Sequence, residues 1–214
     1  MVASELPHGL YAVTDSRLIP ADELTTRVAQ AIAGGAVVIQ YREKLKARDV
    51  RQQEAAALQA LCRERGVPLI INDDIELAAR VGAAGVHLGR EDASIAQARE
   101  RLGPHALVGV SCYNRIERAL KAAAAGTSYV AFGRFFPSAT KPGAKQAETI
   151  LLEQARALLD LPVVAIGGIT PENAACLIAA GADLLAVIHG VFGQPDVEAA
   201  ARRYAALFDG PSEE

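Results

Sequence analysis

Short apolar runs rich in β-branched residues recur along the chain: Leu10–Thr14, Val37–Tyr41, Leu69–Asn72, Gly85–Leu88, Leu107–Ser111, Tyr129–Phe132, Val163–Ile166 and Leu184–Ile188. Most lack the alternation of a strand with one wet face. They predict strands buried on both faces, the pattern of a parallel sheet. Between most of them lie segments rich in Ala, Leu, Arg and Glu with helical spacing. Over Asp49–Arg65 that spacing puts Val50, Ala57, Leu58 and Leu61 on one apolar stripe. Ile95–Leu102 and Ile116–Ala125 read the same way, and Thr170-Pro171-Glu172 reads as a helix start, with Thr at the N-cap and Pro first in the helix.

A weak internal repeat supports the count. Ala33-Gly34-Gly35-Ala36-Val37-Val38, Val81-Gly82-Ala83-Ala84-Gly85-Val86, Ala125-Gly126-Thr127-Ser128-Tyr129-Val130 and Ala180-Gly181-Ala182-Asp183-Leu184-Leu185 share one shape. In each, a helix is expected to stop at Gly35, Gly82, Gly126 or Gly181 and an apolar strand to follow. Each interval holds two strand–helix units of about 25 residues, and the sum predicts one small (β/α)₈ barrel. An open doubly wound sheet is the alternative, but no GxGxxG follows Leu10–Thr14. A single domain over residues 1–214 is expected, with the tail Asp209–Glu214 frayed.

Composition narrows the functional class. Hydrophobic residues make up 51% of the chain and charged ones 22%, enough for a packed core. The net charge of −3 argues against a general nucleic-acid binder. Cys62, Cys112 and Cys176 are widely spaced and odd in number, which suits a reducing compartment. Neither a membrane span nor a signal peptide is recognisable, so a cytoplasmic protein is expected.

In such a barrel chemistry sits at the C-terminal ends of the strands. The polar residues there are Gln40, Arg42 and Lys44 after the second run, Asn72 and Asp73 after the third, Asp92 after the fourth and Ser111 at the end of the fifth. Ser138-Ala139-Thr140-Lys141 follows the sixth, Gly167-Gly168 the seventh and Ile188-His189-Gly190 the eighth. Each has an ordinary reading. Arg42 and Lys44 suit a solvated loop, and Asp74 and Asp92 suit helix N-caps, the reading favoured for Asp74. Ser111 suits a strand-end hydrogen bonder, His87 a satisfied structural histidine, His8 and His105 the surface, and Tyr41 and Tyr113 plain packing. His189 is open. Together they say more. Three cations (Arg42, Lys44, Lys141) and two carboxylates (Asp73, Asp92) at one mouth suit Mg²⁺ with a polyphosphate. The glycine-side loops suit a monophosphate on backbone N–H groups.

The same residues resemble the thiamine-phosphate synthase family. The motifs are Leu10-Tyr11-Ala12-Val13-Thr14-Asp15, Gln40-Tyr41-Arg42-Glu43-Lys44, Ile71-Asn72-Asp73, Gly85-Val86-His87-Leu88-Gly89 with Asp92, Gly109-Val110-Ser111, Phe136-Pro137-Ser138-Ala139-Thr140-Lys141 and Ala165-Ile166-Gly167-Gly168-Ile169, in order along nearly the whole chain. The resemblance implies a (β/α)₈ transferase that joins the diphosphate of 4-amino-5-hydroxymethyl-2-methylpyrimidine to a phosphorylated hydroxyethylthiazole or its carboxylated precursor. It implies that Gln40, Arg42, Lys44, Asn72, Ser111 and Lys141 hold the pyrimidine diphosphate, with Arg42, Lys44, Ser111 and Lys141 assisting its departure. Asp73 and Asp92 would bind Mg²⁺. Ser138, Ala139, Thr140, Gly168, Ile188 and His189 would hold the thiazole phosphate. The family commonly has Thr at Ser138, which keeps the hydroxyl. It has Val-Ser at Ile188-His189, which leaves only backbone donors there.

The partners implied are small molecules, with no nucleic acid and no membrane; a homo-oligomer is left open. A thiazole tautomerase of the same superfamily would need no diphosphate or metal site, and a phosphosugar isomerase no cationic cluster. A non-catalytic phosphate-binding barrel would need no leaving-group machinery.

Overall fold

The computed structural model describes residues 6–89, 94–137 and 146–209. Eight parallel strands close into a barrel in chain order: β1 (Gly9–Val13), β2 (Ala36–Tyr41), β3 (Leu69–Asn72), β4 (Gly85–Leu88), β5 (Leu107–Tyr113), β6 (Tyr129–Gly133), β7 (Val163–Ile166) and β8 (Leu184–Val187). The helices are α1 (Leu24–Ala33), α2 (Arg48–Glu64), α3 (Ile75–Val81), α4 (Ile95–Leu102), α5 (Ile116–Ala124), α6 (Ile150–Leu158), α7 (Pro171–Ala179), α8 (His189–Phe192) and α9 (Val197–Ala205). The seam closes where Leu10 pairs with Ala36 on one side and Leu185 on the other. The expected (β/α)₈ barrel is therefore present.

Two apolar clusters explain why the strands read as unbroken apolar runs. Leu10, Ile39, Ile71, Val86, Val130 and Leu185 point outward and pack with the helices. Tyr11, Val38, Ile70, Leu107, Tyr129, Val164 and Leu184 point inward and fill the lumen. Because both faces are buried, period-two polarity disappears from most of each strand. It returns at the C-terminal ends. The lumen-facing series Val38–Gln40, Ile70–Asn72 and Leu107–Gly109–Ser111 each turn polar there, while the outward series stays apolar.

The repeat glycines behave as read. Gly82 caps α3 in the left-handed conformation at φ +68, its N–H bonded to Ala78, and Gly35, Gly126 and Gly181 also take positive φ. The stripe on α2 differs from expectation. Its buried residues are Ala55, Leu58 and Cys62, whereas Val50 is 40% exposed and Ala57 lies on the wet face. Small residues, Ala55 and Cys62, let the helix sit close to the barrel, so the apolar Val50 was a misleading marker. β5 also runs past Ser111 to Tyr113, with a register shift between them and Tyr113 at φ +57. The bulge re-aims the strand end at the cavity mouth.

Candidate active site

Alternation continues past the end of β2 and organises one side of the mouth. Tyr41 and Glu43 face the helices: the Tyr41 hydroxyl donates to Glu54 at 2.7 Å, and the Glu43 carboxylate accepts from the Leu45 and Lys46 amides at 2.6 and 3.2 Å. Burial pushes the Glu43 carboxyl up, but the hydrogen bonds it accepts and the Lys46 charge outweigh that, so it rests below the ordinary carboxylate range. With 41 and 43 as anchors, Gln40 and Arg42 line the barrel cavity and Lys44 reaches Asp73, Nζ to carboxylate 2.9 Å. The Arg42 amide donates to Thr14 Oγ1 at 2.9 Å, and its guanidinium stands 3.8 Å from Asp15. Asp15 is held mainly by Arg17, which donates Nε to it at 2.9 Å; that hydrogen bond keeps the Asp15 carboxyl low despite burial.

A cavity of about 150 Å³ opens at the strand ends and is lined by Gln40, Arg42, Asn72, His87 and Ser111, with Tyr113 and Arg134 at its edge. His87 Nε2 lies 2.9 Å from Ser111 Oγ and Nδ1 lies 3.1 Å from the Tyr129 hydroxyl. Asp73 follows Asn72 at φ +66, a conformation tolerated by Asp, and its amide donates to the His87 carbonyl at 2.9 Å. Asp74 is the N-cap of α3: its carboxylate accepts from the Leu77 amide at 2.9 Å and pairs with Arg51 at 3.1 Å.

A second hollow of about 520 Å³ adjoins the first and shares Ile166, Gly167, Ala186 and Ile188 with it. Gly168, Ile169, His189 and Gly190 line it, with Asp15, Arg17 and Pro137 opposite. At Gly168, φ is +67 and a Cβ would lie 2.3 Å from the Pro137 carbonyl oxygen, so a glycine is what lets the loops after β6 and β7 meet. His189 is exposed, and its ring lies over Gly193, within 2.8 Å of where a Cβ there would stand.

The expected residues thus divide in three. Gln40, Arg42, Asn72 and Ser111 share the first cavity, while Lys44 and Asp73 pair with each other outside its lining, Asp73 following Asn72 directly. Gly168, Ile188 and His189 share the second. Asp92, Ser138, Ala139, Thr140 and Lys141 lie outside the described residues. Among the described residues no group of three or more His, Cys, Asp or Glu side chains converges as a metal cage. Sequence reasoning placed Asp15 and Tyr11 in a motif but gave them no role, and it gave none to Arg17, Arg134 or Tyr129. His87 is hydrogen-bonded, as a structural histidine would be, yet it stands in the cavity wall. The signal for His87 was a polar residue at a lumen-facing position of an otherwise apolar strand.

Comparison with known proteins agrees with this layout. A family model described as thiamine monophosphate synthase matches residues 10–191. The thiamine-phosphate synthase of Nitrosococcus oceani is 53% identical over 200 residues, covering 94% of this chain and 92% of that one. That of Marinobacter nauticus is 53% identical over 209 residues, covering 97% and 94%. Among solved structures, thiamine phosphate pyrophosphorylase from Pyrococcus furiosus superposes with a TM-score of 0.85 at 33% identity, covering 97% of each chain. A closed barrel, matched by the family model over residues 10–191 and by relatives along almost its whole length, leaves one assignment: the chain belongs to the thiamine monophosphate synthase family.

Proposed function

We propose that the chain is a transferase that joins the pyrimidine diphosphate to the hydroxyethylthiazole phosphate, giving thiamine monophosphate and diphosphate. The observation that carries this reading is the meeting of Gln40, Arg42, Asn72 and Ser111 in one cavity, with Lys44 paired to Asp73, the residue after Asn72. The departing group is a dianion or more, so the chain's task is to receive charge. Arg42 offers a fork of donors to phosphate oxygens, and Lys44 and Lys141 offer point charges. Gln40 and Asn72 suit the donor and acceptor edge of the aminopyrimidine.

The electron-rich ring lets the carbon–oxygen bond break ahead of attack, through a pyrimidine cation that the thiazole nitrogen then captures. No nucleophilic side chain is needed; alignment of two rings and stabilisation of the leaving charge are sufficient. The second hollow, with Gly168, Ile188 and His189, suits the thiazole phosphate, joined in this reading by Ser138, Ala139 and Thr140. Because it shares a wall with the first cavity, the two substrates can lie end to end.

Asp73 fits a role in holding Mg²⁺: its carboxylate stands at the mouth and already accepts a cation, the Lys44 ammonium, at 2.9 Å. Asp92 would be the second ligand. When bound, Mg²⁺ would neutralise charge on the diphosphate. Cys62, Cys112 and Cys176 are free thiols, which supports a cytoplasmic setting; no helix among the described residues is long and apolar enough to cross a membrane.

The test is diphosphate release from the pyrimidine diphosphate with and without the thiazole phosphate and with and without Mg²⁺, with mass-spectrometric detection of thiamine monophosphate. Release that requires both substrates and Mg²⁺ is expected. Isomerisation of the thiazole alone, with no coupling, would indicate the tautomerase instead.

A further inference from the structure

Four hydrogen bonds link five side chains head to tail across the top of the lumen. Gln40 Nε2 donates to the Tyr11 hydroxyl at 2.8 Å, and the Tyr11 and Tyr129 hydroxyls are 2.8 Å apart. Tyr129 is 3.1 Å from His87 Nδ1, and His87 Nε2 is 2.9 Å from Ser111 Oγ. Both ends, Gln40 and Ser111, line the same cavity. The sequence makes room for the middle: Tyr129 pairs in register with Gly109, where a Cβ would come within 2.0 Å of the ring and 2.4 Å of its hydroxyl. Burying two phenols is costly unless each is hydrogen-bonded, so a chain of this kind is maintained as a unit.

Each hydroxyl in the chain has one proton to give and a neutral His87 has one N–H, so with His87 neutral the bonds run in one direction. If they run from Gln40, Tyr129 donates to Nδ1 of His87, Nε2 carries the proton and donates to Ser111, and the Ser111 proton faces the cavity. If they run the other way, with the Gln40 amide turned, Ser111 gives its proton to Nε2 and shows the cavity only lone pairs. An anion in the cavity is bound by the first arrangement and repelled by the second. Burial first of all raises the Tyr11 and Tyr129 phenols far above their usual range, so both stay protonated and able to donate.

We propose that Tyr129 is a positioning residue which, by donating to Nδ1, holds His87 as the Nε2–H tautomer and so makes the Ser111 hydroxyl a donor toward the departing diphosphate. This rests on the activity proposed above. The alternative is that the two tyrosines only satisfy each other in the core, which would leave the His87 tautomer indifferent to Tyr129.

The experiment is long-range ¹H–¹⁵N spectroscopy of the full chain labelled at histidine, with saturating inorganic diphosphate and Mg²⁺. The His87 signals are assigned by their loss in His87→Asn. The parent protein is expected to show His87 as a single neutral tautomer protonated at Nε2. Tyr129→Phe is expected to abolish that preference and lower kcat by roughly threefold to tenfold, the worth of one hydrogen bond, with little change in KM. Tyr11→Phe leaves Tyr129 its bond to Nδ1 and is expected to keep the tautomer. His87 found protonated at Nδ1 or at both nitrogens in the parent overturns the proposal, as does an unchanged tautomer in a folded Tyr129→Phe. Should that variant fail to fold, the parent spectrum decides through the Tyr129 hydroxyl proton: its coupling to His87 Nδ1 supports the proposal, and a Tyr129 proton directed at the Tyr11 oxygen instead overturns it. A chain with the expected tautomer that forms no thiamine monophosphate would refute the activity while leaving the hydrogen-bond direction intact.

Discussion

Gly168→Ala separates the steric role of one glycine from its conformational one. Gly168 has φ +67, Gly66 has φ +69, and the two positions differ in what surrounds them. A Cβ at Gly66 meets nothing within 4 Å, so Gly66→Ala carries only the left-handed penalty of about 1 kcal/mol. In a chain of this size that lowers Tm by about 2–4 °C. At Gly168 the same penalty applies, but the Cβ also lies 2.3 Å from the Pro137 carbonyl oxygen and 2.7 Å from that of Phe136. A carbon–oxygen contact needs more than 3 Å, so the loops after β6 and β7 must part by about 1 Å. Overpacking of that kind adds roughly 1–3 kcal/mol, and a displacement of about 1 Å in a positioned substrate costs up to about 10²-fold in rate. The assay is thermal melting of both variants, with steady-state kinetics in which the thiazole phosphate is varied at saturating pyrimidine diphosphate. Gly66→Ala should keep parental kinetics, while Gly168→Ala should melt lower still and lose at least tenfold in kcat/KM for the thiazole. If the two variants match in both measurements, the close approach at Gly168 has no importance. If Gly168→Ala melts lower but turns over normally, the second hollow is not the thiazole site.

Glu43→Ala should lower stability by about 1.5–3 kcal/mol, read by urea titration, because it removes the charged acceptor of the Leu45 and Lys46 amides; unchanged stability and unchanged kcat/KM together would show that the loop holds Arg42 and Lys44 without it. Asp15→Asn should reduce the acid sensitivity of the fold. The Asp15 carboxyl is depressed by Arg17, so its contribution is complete above the unfolded value of about 3.9 and is lost as pH falls through the folded value; parental pH dependence of urea stability below pH 4 would contradict this. Asp73→Asn should raise the Mg²⁺ concentration needed for half-maximal turnover with little loss of Tm; Asn is preferred to Ala there because φ is +66, and an unshifted Mg²⁺ curve would remove Asp73 from the metal site. Lys141→Ala should lower kcat by roughly 10²–10³ if that lysine receives leaving-group charge, and a change within about threefold would mark it as a solvated lysine.

The barrel was readable because its two requirements leave separate marks. Strands buried on both faces give unbroken apolar runs, and helix stops before them give Gly35, Gly82, Gly126 and Gly181. The α2 stripe was misread because Ala55 and Cys62 carry the contact and are weaker hydrophobic signals than the exposed Val50. Gln40, Arg42, Asn72 and Ser111 could be placed because each breaks an apolar lumen series at its C-terminal end. Asp15 and Arg17 could not: their roles arise from β1 lying beside β2 and β8, a proximity with no mark in the local sequence. Tyr11 and Tyr129 stand 118 residues apart, and nothing local announces that their hydroxyls meet.

The seam between β1 and β8 has a consequence for biosynthesis. β1 leaves the ribosome early with β2 as its one available strand neighbour, and its other edge waits for Leu184–Val187, the last strand of the barrel. Until then a nascent chain carries an unpaired parallel edge on Gly9–Ala12, backed by apolar side chains. Such an edge is a template for joining other chains. A message cut short before codon 184 therefore yields more than an inactive fragment: it yields a sheet with two open edges, β1 and β7, and no means of closing them. The translation machinery's rate from β2 to α7 sets how long the β1 edge stays open, so chaperone demand should fall on the growing polypeptide rather than on the finished one.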